Sequence, residues 1–214
     1  MSGWLYAYCM SSQVHVVVVC KTELAFLKLR SSTVVEVAIN RALSAVCAPT
    51  LSVWMDPEVR THLPANLKSR LDASNLGNEH TLYEHVESVS APIVLIHDAQ
   101  RPLTLPVSFD RVSSMVSSDT TRVCPAHLVV DTLKEVDTDF VVSGTVDRSR
   151  VQALSSPEGY LKSELRKPTG VIWNFDVASG ETGYVQGDQE SIRIREAADV
   201  LLVESFLIWQ TKSS

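Results

Sequence analysis

Three stretches of the chain carry side chains that could do chemistry together. The first is His97-Asp98-Ala99-Gln100-Arg101-Pro102. A carboxylate there can hold a cation such as Mg²⁺, and an arginine three residues on can grip a phosphate through paired N–H donors. The same residues also suit a plain loop cap, with Asp98 accepting backbone amides and Arg101 pairing with it. The second is Asp131-Thr132-Leu133-Lys134-Glu135-Val136-Asp137, followed by Thr145-Val146-Asp147-Arg148-Ser149-Arg150. Charged residues of this kind form either a solvated hairpin tip or a rim that binds an anion. The third is Gly187-Asp188-Gln189-Glu190-Ser191-Ile192-Arg193-Ile194. Arg193, set between two isoleucines, has no apolar reason to be there, so it is an ion-pair partner or a phosphate ligand.

Other catalytic templates are missing. The chain has neither a GxSxG nucleophile elbow nor an HExxH metal helix. His80 and His85 lie five residues apart, off the i,i+4 spacing of a helical metal pair, and read as surface histidines. Trp4, Trp54, Trp173 and Trp209 are scattered and read as packing residues rather than a stacking platform for bases.

These candidates sit in a chain of 214 residues, 45% apolar and 21% charged, with a formal charge of −6. That is one domain with ample material for a core, and it excludes disorder over most of its length. Neither a basic balance nor a basic stripe is present, so nucleic acid is not an expected partner. Cys9, Cys20, Cys47 and Cys124 are spread without a CxxC pair, which points to reduced, buried thiols. The apolar run Val14–Cys20 is too short for a membrane helix, and the N-terminus lacks a basic leader, so a cytoplasmic protein is expected. Glycine is scarce, with 8 residues, and none lies between Gly3 and Gly77. The first third of the chain therefore has no glycine-rich phosphate loop.

Strands and helices must alternate to position the three groups. VHVVVVC over Val14–Cys20 reads as a strand buried on both faces, with further strands at Thr50–Met55, 93–97 and 123–128. Thr33 with Glu36 makes a capping box opening a helix, and Pro57 starts a short one. Helices are also expected over 79–89, 107–116 and 196–210. Late strands are expected over 183–186 and 191–194. Between 131 and 150 the pattern changes to short extended pieces, as in a β-hairpin projecting from the main sheet. The order predicts an α/β fold with a doubly wound, mostly parallel sheet, in which ligands bind beyond the carboxyl ends of the strands.

IHDAQRPL (96–103), VVDTLKEVD (129–137), TVDRSR (145–150) and GDQESIRI (187–194), in this order and spacing, resemble the 2-C-methyl-D-erythritol 4-phosphate cytidylyltransferases of the non-mevalonate isoprenoid pathway. The likeness runs from about residue 32 to residue 209. It implies a Rossmann-like nucleotidyltransferase domain whose β-arm clasps a second subunit in a homodimer. It also implies transfer of a cytidylyl group from CTP to a polyol phosphate, with Mg²⁺, releasing pyrophosphate. Under it, Asp98 is a catalytic and metal-binding aspartate and Arg193 replaces a phosphate-binding lysine. Arg101, Thr132, Arg148 and Ser156 become substrate-binding residues, with Arg148 reaching across the dimer. Ser156 takes the place of a threonine in a TPQ motif. Gly77, Asn78 and Tyr83 fall in the segment that recognises the base.

The nucleotide half departs from the family pattern. The family's first strand leads into a glycine-rich loop bearing an arginine and a lysine, whereas Val14–Cys20 leads into KTELAFLKLRSS, with no glycine and with Lys21, Lys28 and Arg30 as the only cations. Backbone amides need glycine's freedom to close around phosphates. Asn78 replaces an acid, and Tyr83 replaces a small serine where cytosine would sit. The polyol-phosphate half is better kept, and its arginines are expected to converge on an anion pocket. Two functions are compatible with this pattern: a divergent cytidylyltransferase, or an inactive homologue acting as a sugar-phosphate-binding or scaffolding subunit.

Overall fold

In a computed structural model, the described residues are 13–47, 50–72, 76–77, 79–167 and 175–212. The elements run β1 (Val14–Cys20), α1 (Val34–Leu43), β2 (Thr50–Met55), α2 (Pro57–Thr61), α3 (Ala65–Asp72), α4 (Leu82–Ser88), β3 (Ile93–Asp98), α5 (Pro106–Met115) and β4 (Arg122–Leu128). They continue with β5 (Lys134–Val136), β6 (Val142–Thr145), β7 (Gln152–Leu154), β8 (Glu158–Leu161), β9 (Thr182–Gln186) and α6 (Asp199–Lys212).

The main sheet has the order β9-β4-β8-β3-β1-β2, with β7 added along β4. β1 pairs in parallel with both β2 and β3, and β9 in parallel with β4. β8 runs antiparallel between β3 and β4. This is the mostly parallel α/β sheet that the alternating pattern predicts.

Alternation along β1 explains its two buried faces. Val16, Val18 and Cys20 join Val35, Ala38 and Ile39 of α1 and Phe109 and Val112 of α5 on one side. Val17 and Val19 join Trp54, Leu82, Val86 and Tyr160 on the other. A third cluster, Leu29, Val34, Leu103, Ile194 and Val203, seats α6 beside the strand ends. The capping box at α1 is present: Glu36 Oε2 accepts from the Thr33 amide and hydroxyl, each at 2.8 Å.

Four expectations are corrected. Residues 191–194 are not a strand, because their backbone bonds go to loops: Ser191 N–H donates to Asp188 O at 3.1 Å and Ile194 N–H to Gln100 O at 2.8 Å. α6 begins at Asp199, whose Oδ2 accepts from the Arg195 and Glu196 amides. His85 is buried, because α4 turns its 82/85/86 face onto β2; its Nε2 meets Ser52 Oγ and its Nδ1 meets Glu79 Oε2, both at 2.7 Å. Trp54 packs in the core, but Trp209 is 59% exposed on α6; Trp4, Trp173 and Cys9 lie outside the described residues. Cys20 and Cys124 are free and buried, and Cys47 is free and half-buried.

The hairpin β5–β6 stands apart from the main sheet, pairing Lys134 with Thr145 and Val136 with Val142. Its turn is closed by Asp137, whose Oδ1 accepts from the amides of Asp139 and Val141 at 2.9 Å each. Among the described residues no helix is long and apolar enough to cross a membrane.

Candidate functional site

The carboxyl ends of β1, β2 and β3 lie side by side: Val19 is in register with Asp98, and Cys20 with Met55. The loops leaving them carry Lys21, Asp56 and the segment 99–105. Against this edge lies a cavity of about 180 Å³ lined by Asp98, Arg101, Ser155, Ser156, Glu158 and Arg193, with Ile96 and Leu154.

Arg193 organises it. Its Nε donates to Asp98 Oδ2 at 2.7 Å and its Nη2 to Gln100 Oε1 at 2.9 Å. A guanidinium has five N–H donors. Two are used here, which leaves both Nη1 hydrogens and one on Nη2 for a ligand among the described residues. Arg101 is held from the other side, its Nη1 donating to the Ser191 carbonyl. Burial, followed by the charges of Arg193 and Arg195, pulls its pKa below the ordinary guanidinium value, with Asp98 opposing.

The second oxygen of Asp98, Oδ1, accepts from the Gln100 amide at 2.9 Å. Asp98 is the residue that would hold the Mg²⁺ implied by the resemblance: each of its oxygens serves one protein donor and keeps a lone pair for an ion shared with substrate phosphates. Among the described residues no group of three or more His, Cys, Asp or Glu side chains forms an all-protein metal site. Asp98 here anchors Arg193.

Behind the cavity Ser156 Oγ accepts from the Asp98 amide at 3.0 Å and pairs with His97 Nδ1 at 2.8 Å. His97 is fully buried, and burial first, then the Arg101 charge, brings its pKa from 6.5 down to about 3. It is a neutral strut that fixes the end of β3. Ser156 thus lines the cavity with its hydroxyl already engaged.

Of the cations beyond β1, Lys21 is the one in the field of this site. Burial lowers its pKa to about 8, with Asp98 and Asp56 opposing and Arg193 adding to the fall. Beyond it Lys28 is exposed on a two-residue ladder and Arg30 is exposed in the turn that joins its strands. Where a glycine-rich loop would stand, the chain makes a 3₁₀ turn, Glu23–Phe26, capped by Thr22 Oγ1.

The remaining sequence candidates are placed elsewhere. Thr132 and Arg148 sit exposed at the base of the hairpin, where Arg148 Nη1 donates to the Val130 carbonyl, and neither lines the cavity. Gly77 is built into the edge beside β2: its amide donates to Val53 O at 2.8 Å, and a Cβ there would collide with the His85 ring. Tyr83 packs its ring 6.1 Å from that of Phe175 and lines a different surface cavity with Pro92, Lys162 and Arg166. Asn78 lies outside the described residues. Asp188 accepts from the Leu105 amide and Ser108 hydroxyl at the start of α5 and pairs with Arg111 at 3.2 Å, not with the arginines of the cavity.

Sequence reasoning missed Gln100, Ser155 and Glu158. Gln100 carries a signal in hindsight, standing two residues after Asp98 in the same loop. Glu158 is an acid opening an otherwise apolar strand. With Glu158 present the cavity carries two guanidiniums and two carboxylates, so it is charge-balanced rather than broadly electropositive.

Residues 19–208 match the family model for 2-C-methyl-D-erythritol 4-phosphate cytidylyltransferase. The chain belongs to that family. The 2-C-methyl-D-erythritol 4-phosphate cytidylyltransferase of Corynebacterium glutamicum is 27% identical over 84% of this chain and 76% of its own length. That of Nocardia farcinica is 29% identical over 87% and 86%. The fold agrees with the 4-diphosphocytidyl-2C-methyl-D-erythritol synthase structure of Anaerococcus prevotii, at TM-score 0.71 and 16% identity over 92% of this chain and 99% of that one. The 2-C-methyl-D-erythritol 4-phosphate cytidylyltransferase structure from Thermus thermophilus aligns at TM-score 0.69 and 18% identity, over 90% and 98%.

Proposed function

We propose that this cytidylyltransferase-family protein binds a polyol phosphate in the Asp98–Arg101–Arg193 cavity and catalyses cytidylyl transfer from CTP weakly or not at all. The observation that carries the first half is Arg193: Asp98 and Gln100 fix its plane, and three N–H donors remain for a phosphate. Arginine presents such donors in a rigid fork matched to an oxyanion, which a lysine cannot do.

The second half rests on the segment after β1. Transfer from a nucleoside triphosphate depends on positioning and on neutralising the charge that develops. Losing a single such donor typically costs about 10²–10³ in rate. Here a Thr22-capped turn holding Glu23 stands where a whole loop of donors would be needed. Lys21 alone, with its charge shared between Asp98 and Asp56, does not replace that loop.

Pyrophosphate release with CTP, Mg²⁺ and 2-C-methyl-D-erythritol 4-phosphate tests the reading. The expected result is no turnover approaching the ~1–10³ s⁻¹ of ordinary enzymes, alongside calorimetric binding of the polyol phosphate alone. Ordinary turnover would show that another set of cations serves the triphosphate, and absence of phosphate binding would remove the cavity's assignment.

A further inference from the structure

Away from the cavity, at the β2 edge of the main sheet, four polar side chains run in single file from the rim into the core. His15 of β1 is in register with Thr50 of β2, and alternate strand residues share a face, so His15, Thr50 and Ser52 lie together. His15 Nδ1 meets Thr50 Oγ1 at 3.0 Å, and its Nε2 meets Ser52 Oγ at 2.7 Å. The same Ser52 oxygen meets His85 Nε2 at 2.7 Å, and His85 Nδ1 meets Glu79 Oε2 at 2.7 Å. Thr50, at the outer end, is exposed, whereas Ser52 and His85 are each 4% exposed. Serine, imidazole and carboxylate in this order also make a nucleophile triad. Here, however, Ser52 is buried in the sheet, and a second imidazole sits on the hydroxyl where a substrate carbonyl would have to approach.

Counting hydrogens fixes how the file can be protonated. A hydroxyl has one hydrogen, and a neutral imidazole has one N–H. Ser52 faces two ring nitrogens, so one of them must carry a hydrogen and the other must accept the serine's. The Glu79 carboxylate only accepts, so His85 keeps its hydrogen on Nδ1 and, when neutral, takes the Ser52 hydrogen on Nε2. His15 is then the Nε2–H tautomer, with Nδ1 accepting from the Thr50 hydroxyl. A second arrangement satisfies every group with one proton more. His15 carries its hydrogen on Nδ1 and donates to Thr50, whose hydroxyl turns to the Val14 carbonyl at 3.1 Å. Ser52 donates to His15, and His85 carries hydrogens on both nitrogens as an imidazolium against Glu79. No heavy atom has to move between the two.

We propose that His15, Ser52 and His85 form a proton relay that carries one proton from the rim of the sheet to the Glu79 carboxylate, and that the ion pair so formed is a pH-sensitive clamp on the chain at Gly77 and Glu79. The proton adds at His15 Nδ1, the His15 Nε2 hydrogen passes to Ser52, and the Ser52 hydrogen passes to His85 Nε2. One proton enters and one charge appears, on His85. His15 is neutral before and after, in keeping with burial, then the charge of His85, lowering its pKa from 6.5 to about 4. Glu79 is the carboxylate that meets the His85 ring. Of the other charges around it, Glu84 is engaged with the Thr81 amide at the start of α4, Arg60 of α2 donates to the Gly77 carbonyl, and Lys162 donates to the Glu87 carbonyl. Gly77 and Glu79 are tied to β2, the Gly77 amide donating to Val53 O at 2.8 Å and the Glu79 carbonyl accepting from Trp54 Nε1 at 3.2 Å. A charged donor holds Glu79 more firmly than a neutral one, and so tightens these ties.

Long-range ¹H–¹⁵N correlation spectra of the full chain, titrated from pH 8 to 5, read the tautomer of each ring. The expected result is one step in which His85 becomes imidazolium and His15 changes from the Nε2–H to the Nδ1–H tautomer. Over the same step, exchange of the Gly77 amide, corrected for its intrinsic rate, should slow several-fold. Ser52→Ala should break the link, so that His15 keeps its tautomer when His85 charges. Glu79→Gln should hold the file in its neutral arrangement throughout, and it decides the matter with the wild type if Ser52→Ala does not fold. A wild type in which His15 stays Nε2–H as His85 charges, in which the rings charge separately, or in which neither changes, overturns the relay. So does a tautomer switch that survives in Ser52→Ala.

Discussion

Asp98→Asn keeps the size of the side chain and removes one negative charge, and the fold and the ligand should feel this with opposite sign. In the free protein Asp98 serves two donors, Arg193 Nε at 2.7 Å and the Gln100 amide at 2.9 Å. An asparagine has one acceptor oxygen, so its NH₂ must face one of those N–H groups. The loss is one charge-assisted hydrogen bond, about 1.5–3 kcal/mol. Arg193 is 31% exposed in its side chain, so the solvated end of that range applies, about 2 kcal/mol. For a domain of this size that lowers the melting temperature by about 4–8 °C.

Phosphate should bind more tightly to the same variant. A unit charge about 5 Å from a bound anion repels it by about 3 kcal/mol at an effective dielectric of about 20. The cavity opens to solvent, so roughly half of that survives screening, and relief of it gives about tenfold in affinity. Inorganic phosphate is the right probe, since it has no hydroxyl chain to engage other residues. Calorimetry in EDTA, with a thermal melt as the control on folding, reads both effects. A folded Asp98→Asn protein that binds phosphate more weakly than the wild type refutes the reasoning, because Asp98 would then be a bridge to the anion instead of its competitor for Arg193.

Three further outcomes are expected. CTP should bind no more tightly than about 1 mM, some 4 kcal/mol, because the turn Glu23–Phe26 offers no cradle for a triphosphate; a micromolar constant by calorimetry would reinstate a nucleotide site. The hairpin exposes Val136 (55%), Phe140 (87%), Val141 (59%) and Val142 (58%) and is too small to be stable alone, so a homodimer clasped by residues 131–150 is expected; a monomer in sedimentation equilibrium at micromolar concentration contradicts it. Stability should fall on acidification below about pH 6.5. Burial first, then His85, lowers the His15 pKa from 6.5 to about 4, and burial with Arg101 lowers that of His97 to about 3; the unfolded chain thus takes up these protons first, at about 1.4 kcal/mol per pH unit for each histidine between pH 6.5 and those values. A denaturant midpoint unchanged between pH 7 and 5 would show that both imidazoles titrate normally.

The fold was legible because its signals are local. The unbroken valines of β1 require cover on both faces, and Thr33 with Glu36 sets the start of α1 from four residues of sequence. Residues 191–194 misled because their alternation mimics a strand, while Ser191 turns back onto Asp188 three residues earlier and Ile194 bonds to Gln100 in the distant loop after β3. His85 misled for a related reason: spacing from His80 tests for a metal pair but says nothing of Ser52, thirty-three residues earlier, which makes burial of the imidazole tolerable. Ser155 and Glu158 escaped because their significance lies in their place beside Arg101 and Arg193. That is a property of the assembled cavity, not of any short stretch.

Arg193 shows why two readings of a sequence can compete when the molecule needs both. On its own, an arginine between isoleucines is either an ion-pair partner or a phosphate ligand. A lysine has three donors but no planar fork, so nothing would fix a pair of them in the geometry of an oxyanion. The guanidinium supplies that fork. With Nε on Asp98 and Nη2 on Gln100, its plane is set before any ligand arrives, so little side-chain entropy remains to be lost on binding. Asp98 weakens the attraction for an anion by its charge and strengthens it by this preorganisation. Asp98→Asn removes the first effect and part of the second, so Arg193→Lys is the sharper contrast: charge is kept, the fork is lost, and phosphate affinity should fall several-fold. If the lysine variant bound phosphate as well as the wild type, charge alone would explain the site and the fixed plane of Arg193 would have no part in it.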